Sequence, residues 1–119
     1  MEQDDIFNFF KRLHDLCIGI PDTFRFISKV HSGKTTFFIV VLNDMTCVKI
    51  AYETESTTVP FFAISVGDAE IKENEVVYDF LGATTERSPI AALCLFFSTI
   101  EAVLDKNELL TKLERHGIL

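Results

Sequence analysis

The sequence has few cysteines, prolines and glycines and no tryptophan. Its three cysteines, Cys17, Cys47 and Cys94, are widely separated, which matches neither a disulfide framework nor the paired spacing of a zinc site. We therefore expect reduced thiols, no metal and no cofactor. A long apolar run is also missing, because the longest one without charge, from Pro89 to Ile100, is too short to cross a bilayer.

Basic residues are absent from the first seven positions, MEQDDIF, although a secretory signal or a transit peptide would need them there. We expect a cytoplasmic protein that is not exported and does not enter a membrane. The chain has 119 residues, of which 48% are hydrophobic and 24% are charged, as is usual for a globular protein. Length and composition together predict a single domain over residues 1–119.

Apolar periodicity predicts helices at both ends of the chain and strands between them. The predicted helices span 3–18, 88–104 and 105–117, and Ser88 is expected to cap the second. The apolar stripe of the first helix consists of Ile6, Phe9, Phe10, Leu13, Leu16 and Cys17. That of the second consists of Ile90, Leu93, Phe97, Ile100 and Leu104, widened by Leu95, Phe96 and Val103. Four predicted strands span 23–30, 37–42, 46–52 and 59–66, and a short fifth strand lies within 69–81. This order predicts an α+β fold, in which a central antiparallel sheet of four to five strands carries an N-terminal helix and two C-terminal helices on one face.

Single residues shape these predictions. Ile27 interrupts the alternation of the first strand. The run from Phe37 to Leu42 is apolar throughout, which is typical of a central strand covered on both faces. Gly67 and Asp68 predict a turn that ends the fourth strand, since both residue types favour turns. A fifth strand after that turn would lie at an edge of the sheet.

A partial phosphate-binding motif occurs at Gly33, Lys34 and Thr35. The full motif needs a glycine five residues before Gly33, where the chain has Ser28, and it needs a helix directly afterwards. Because the following residues are strand-like, a hairpin turn is the preferred interpretation. The motif therefore gives no support to nucleotide binding.

Catalysis by a cysteine would need a histidine within hydrogen-bonding reach. His14 and Cys17 are three residues apart on the first predicted helix, but Cys17 falls near its apolar face, where cysteine usually acts as a small hydrophobic residue. One such pair does not make a metal site either. We predict that the protein is not an enzyme.

Acidic residues are concentrated between positions 53 and 86. This segment carries eight acids against one base, Lys72, so it accounts for the whole formal net charge of −7. Their spacing does not follow a calcium-binding loop. We predict that these acids form a partner-binding surface. They are Glu53, Glu55, Asp68, Glu70, Glu73, Glu75, Asp79 and Glu86.

A surface with this charge favours encounter with a basic protein and repels nucleic acid and anionic membranes. The leading hypothesis is a non-enzymatic protein-binding domain, a small inhibitor or immunity-type protein that neutralises a basic toxin or nuclease-like partner. Direct nucleic-acid binding is not expected. The alternative interpretation of the acids is that they only keep an edge strand soluble.

Phenylalanine is abundant, with twelve copies. Phe7, Phe61 or Phe62, and Phe96 fall outside the best apolar stripes, so they are candidates for contact with a partner or a second copy. Packing as additional core against a second layer is the favoured interpretation of these residues. Two other hypotheses remain open: a small-ligand sensor or enzyme with an aromatic pocket between the sheet and the long helix, and a homodimer of the secretion-chaperone kind. Such chaperones place a helix among their strands, which this sequence does not predict.

Overall fold

The structure is a computed structural model that describes residues 3–19, 24–32, 35–42, 45–54, 59–103, 114, 115 and 117. Two helices and five strands occur in this part of the chain. The helices are α1 (Gln3–Ile18) and α2 (Pro89–Val103). The strands are β1 (Phe24–Ser32), β2 (Thr35–Leu42), β3 (Thr46–Glu53), β4 (Phe61–Lys72) and β5 (Glu75–Glu86).

The strands form one antiparallel sheet in chain order, from β1 at one edge to β5 at the other. α1 contacts β1 and β2, whereas α2 contacts β3, β4 and β5. Both helices share one apolar core with side chains of the first four strands, so they lie on the same face of the sheet. The predicted α+β fold, with an antiparallel sheet and a helix at each end, is confirmed. The third helix, predicted at 105–117, falls almost wholly outside the described residues.

The core face of α1 follows the predicted helical spacing. Residues three or four apart lie on one side of a helix and meet the sheet together. The buried residues of α1 are Ile6, Phe10, Leu13 and Cys17. The helix ends at Ile18, and the N–H of Gly19 donates a hydrogen bond to the carbonyl of Leu16 at 3.2 Å.

The core face of α2 agrees only in part with the predicted one. Ser88 caps the helix as expected, since its Oγ accepts a hydrogen bond from the N–H of Ala91 at 3.3 Å. However, Ile90 is 74% exposed, and the buried stripe consists of Ala92, Phe96 and Ile100. Phe96 therefore lies in the core, which is the favoured interpretation, and is not available to a partner. Phe62, on β4, is fully buried as well.

Ile27 interrupts the alternation of the first strand because β1 contains a register shift between Phe24 and Phe26. The shift lets both Phe24 and Ile27 pack on the helix-covered core. β2 is buried on both faces from Phe38 to Leu42, as predicted. Its even-numbered side chains face the helices and its odd-numbered ones belong to a second apolar cluster on the other face.

The predicted turn at Gly67 and Asp68 is wrong, because β4 continues through both residues to Lys72. A Cβ atom at position 67 would overlap the carbonyl oxygen of Asp79 and lie 2.7 Å from the Cα of Phe80. Glycine is needed here for the close approach of β5, not for a turn. β4 and β5 consequently form a long hairpin of 12 residues in each strand, and the predicted short edge strand is a full-length one.

The partial phosphate-binding motif is followed by a strand. Gly33 and Lys34 lie outside the described residues, but Ser32 pairs directly with Thr35, where β2 begins. A phosphate-binding loop needs a helix at that point. Within the described ranges, neither helix has the length and apolarity needed to span a membrane.

Candidate protein-binding surface

The β4–β5 hairpin carries most of the acidic segment and projects beyond the rest of the sheet. β3 pairs with β4 only as far as Asp68, which lies opposite Thr46. The three outer residue pairs, from Glu70 opposite Val77 to the turn, have no third strand beside them in the described part of the chain. The hairpin therefore extends about 10 Å beyond β3.

The hairpin closes in a two-residue turn at Glu73 and Asn74. Their φ angles are 50° and 68°, as a turn that matches the twist of an antiparallel pair requires. Asparagine adopts this conformation readily, and glutamate does so less readily. The turn fixes the register, which places Lys72 opposite Glu75.

The register sorts the outer side chains of the hairpin onto two faces. On β4 the even-numbered residues continue the alternation of Phe62 and Ile64, which face the helices. We call this side the acidic face, and its members are Asp68, Glu70, Lys72, Glu75, Val77 and Asp79. The other side is apolar and packs on the second cluster of the sheet through Ala69, Val76, Tyr78 and Phe80.

The acidic face is exposed and short of positive charge. All four of its carboxylates, and Glu73 in the turn, are exposed. Among the described residues these acids make one ion pair, in which Nζ of Lys72 is 3.5 Å from Oε2 of Glu70. Asp68 lies directly opposite Asp79, an arrangement that is unfavourable because the two like charges repel. The described part of the chain thus leaves most of this charge uncompensated.

Lys49, the lysine of β3, does not neutralise the acidic face. It pairs with Ser65 and so points to the opposite side of the sheet. Its Nζ lies 4.5 Å from the centroid of the Phe80 ring and 5.8 Å from that of Phe37. A cation at these distances is attracted to the ring faces. Lys49 therefore stabilises the apolar side of the hairpin.

The eight acids predicted to form one surface are separated by the structure. Five of them lie on the outer hairpin: Asp68, Glu70, Glu73, Glu75 and Asp79. Glu53 and Glu86 are half-buried at the other end of the sheet, opposite Phe61 and Phe62. About 23 Å of strand lies between Glu86 and Asp79. Glu55 lies outside the described residues.

Val77 belongs to the candidate surface although the sequence analysis predicts only acidic residues for it. It is 45% exposed and lies between Glu75 and Asp79 on the acidic face. The alternation of Glu75, Val77 and Asp79 against Tyr78 and Phe80 is the signal that could have found it. Two adjacent valines, at positions 76 and 77, obscured that signal.

A second candidate site is a groove between the two helices. Its walls are apolar and come from Phe9, Leu13 and Leu16 of α1 and from Leu93 and Phe97 of α2. Asp5, Asn8 and Arg12 add polar groups to its lining. The groove has a volume of about 400 Å³. An aromatic pocket was predicted between the sheet and the long helix, whereas this opening lies between the helices.

Two of the three thiols are poor nucleophiles. Burial raises the pKa of Cys17 to about 12, so this thiol is protonated at neutral pH. Burial, and then the nearby carboxylate of Asp68, raise the pKa of Cys47. Cys94 is exposed on α2. Among the described residues no three histidine, cysteine or acidic side chains are grouped to hold a metal.

We expect a thiol reagent at pH 8 to modify one cysteine per folded chain rapidly. Cys94 is accessible, whereas Cys17 and Cys47 are buried, and a thiol with a pKa of about 12 has a thiolate fraction of only about 10⁻⁴ at this pH. Mass spectrometry of the labelled chain would identify the site. Rapid labelling of Cys17 in the folded chain would contradict the assigned core.

Comparisons with known proteins give no family to which this site could be assigned. No protein-family model, curated protein or solved structure matches the chain. Function has to be argued from the geometry and charge of the site, because a fold alone does not determine function.

Proposed function

We propose that this chain is a non-enzymatic protein-binding domain that docks on a basic protein through the acidic face of the β4–β5 hairpin. The observation that carries the proposal is the register, which gathers Asp68, Glu70, Glu75 and Asp79 on one exposed side of a projecting arm. Folding gains nothing from placing Asp68 opposite Asp79. A basic partner supplies the missing positive charge.

The charge acts before contact is made. Uncompensated carboxylates attract a basic protein over about 8 Å, the screening length at physiological ionic strength. This attraction raises the rate of association and orients the partner. The same field repels the phosphates of nucleic acids, which favours a protein as the target.

An apolar residue gives the surface a centre. Val77 is 45% exposed, lies across from Glu70 and has an acid two residues away on either side. Protein interfaces commonly combine a desolvated apolar centre with a polar rim. The complementary partner presents lysine or arginine side chains around a small apolar depression.

The shape of the arm suits an inhibitor. A two-stranded hairpin is narrow, since neighbouring strands are about 4.8 Å apart. Such an arm enters a cleft that a broad sheet face cannot enter. Clefts that bind nucleic acid are basic. We therefore favour an inhibitor or immunity-type role in which the hairpin covers the basic cleft of a toxin or nuclease-like partner.

A second candidate function is the binding of a small apolar ligand. The groove between α1 and α2 favours it, because its volume of about 400 Å³ and its walls of leucine and phenylalanine resemble ordinary ligand sites. A ligand in this groove would remain bound at high salt, since few charges line it. Native mass spectrometry of the purified chain at low and high salt distinguishes the two functions.

The proposal is tested by removing charge from the hairpin. The variant Glu70→Gln, Glu73→Gln and Glu75→Gln removes three negative charges without changing side-chain size. We expect it to bind the captured basic partner about tenfold more weakly than the wild type, because each lost contact contributes about 0.5 kcal/mol. Affinity capture from lysate, followed by titration against the purified partner at rising salt, measures the difference.

The matched control removes the same charge elsewhere. Asp5→Asn, Asp15→Asn and Glu114→Gln change three exposed acids outside the hairpin. This control should bind as the wild type does. Equal affinity for both triple variants, or recovery of the same proteins by both with no effect of salt, would refute docking through the hairpin.

A further inference from the structure

The outer edge of β5 is open as far as the described residues extend. β5 is the last strand of the sheet, and no described strand pairs with its outer side. Edge strands are usually protected by charged residues or proline, because their free N–H and C=O groups attract another strand. Residues 80–85 of β5 contain neither, and Leu81 to Thr85 are all exposed. Leu81 is 84% exposed, the highest value among the large apolar side chains described.

A pocket lies directly beside this open stretch. Its walls come from β5, from β4 and from Thr99 of α2, and its volume is about 310 Å³. The lining residues are Ile64, Val66, Leu81, Gly82, Ala83, Thr84 and Thr99. A bulge in β5 opposite Val66 shapes the pocket, and Gly82 leaves it unfilled because it has no side chain.

Acidic residues mark both ends of the open stretch. Asp79 precedes it and Glu86 ends it. On β4, Asp68 pairs with Asp79 and Phe62 pairs with Glu86. Both carboxylates therefore lie on the helix-covered side of the sheet, and their partners are six residues apart along β4. Glu75 lies a further four positions along the same side.

We propose that an extended segment of the basic partner adds to β5 as a sixth, antiparallel strand. Strand addition satisfies the free backbone groups of an edge, and pockets beside the edge select alternate side chains. The segment carries lysine or arginine opposite Glu86, Asp79 and Glu75, and an apolar side chain between the first two enters the pocket. A second copy of this chain is a poorer occupant, because each copy has a net charge of −7.

This inference rests on the proposed function, since it names how the same hairpin binds its basic target. The probe is a synthetic peptide, KTVTLTKTVTK, whose lysines match the three acids and whose leucine matches the pocket. We expect fluorescence anisotropy to show saturable binding that weakens as salt rises. Hydrogen exchange should show new protection of amides in residues 80–85.

Two peptide controls test the strand geometry separately from charge. Proline in place of the leucine removes a backbone donor and should weaken binding at least tenfold. In a second peptide of the same composition, neighbouring lysines are an odd number of positions apart and so lie on opposite faces of the strand. This peptide should also bind at least tenfold more weakly. Equal binding of all three peptides would show charge attraction alone and overturn strand addition.

A protein variant tests the pocket. Thr99→Leu fills the pocket from α2 and leaves the acids in place, and we expect at least a tenfold loss of peptide affinity with an unchanged thermal midpoint. Absence of peptide binding at about 1 mM would overturn the inference, and so would a dimer in sedimentation whose amides in residues 80–85 are already protected in hydrogen exchange without peptide. Loss of partner binding in the triple-glutamine hairpin variant would still support the proposed function in that case.

Discussion

Replacing Phe38 with alanine is expected to lower the free energy of unfolding by about 3–5 kcal/mol. Phe38 is fully buried in β2, and its ring joins both helices to the sheet. The ring centroid lies 6.1 Å from that of His14 on α1 and 6.1 Å from that of Phe96 on α2. Two helices cannot both move inward to fill the space, so a cavity remains. Urea denaturation followed by circular dichroism measures the loss.

The matched control is Phe7→Ala on α1. The side chain of Phe7 is 51% exposed, so much of it stays in water in the folded state. We expect this substitution to cost less than half as much as Phe38→Ala, since the transfer free energy scales with the area buried. A similar cost for both substitutions would mean that the two helices do not share the core assigned to them.

Much of the fold could be predicted from the sequence because its apolar periods are regular. Ile6, Phe10, Leu13 and Cys17 recur at helical spacing and are the buried residues of α1. The uninterrupted apolar run of β2 correctly indicated a strand covered on both faces. Patterns of this kind depend only on local geometry, which the sequence specifies directly.

The wrong predictions concern residues whose role depends on a contact with another helix or strand. Gly67 was assigned to a turn because glycine favours turns, but its role is to let β5 approach. Ile90 was assigned to the core face of α2 but is exposed, whereas Phe96 is fully buried because Phe38 lies beneath it. The spacing of apolar residues along the chain shows neither which strand lies alongside another nor which residue lies beneath a helix.

The candidate site was predicted in part. The excess of acids was visible in the sequence, and five of the eight acids lie together on the outer hairpin. Glu53 and Glu86 were grouped with them because they are close in sequence, but the pairing places Glu53 at the end of β3 and Glu86 at the end of β5, far from the hairpin turn. Which acids share a face depends on the register, and the mistaken turn at Gly67 hid that register.

The register of the hairpin also connects stability to the candidate surface. Successive residues of a strand face opposite sides of the sheet. Asp68 and Asp79 lie on the acidic face, and so their neighbours Gly67 and Phe80 lie on the apolar face. The apolar face packs on Cys47 of β3, and Lys49 covers the ring of Phe80. The arm can display uncompensated charge because packing on its other side offsets the repulsion.

Replacing Gly67 with alanine is therefore expected to cost about 3 kcal/mol or more. The new Cβ would overlap the Asp79 carbonyl oxygen and lie 2.7 Å from the Cα of Phe80, and both are backbone atoms that no rotamer change can move. β4 and β5 must separate at this point, so amides of the hairpin should also lose protection in hydrogen exchange. The control Ala69→Gly, two residues along the same face of β4, should cost only about 1 kcal/mol. If Gly67→Ala were no more destabilising than this control, the close approach of the two strands, and with it the register that builds the acidic face, would be wrong.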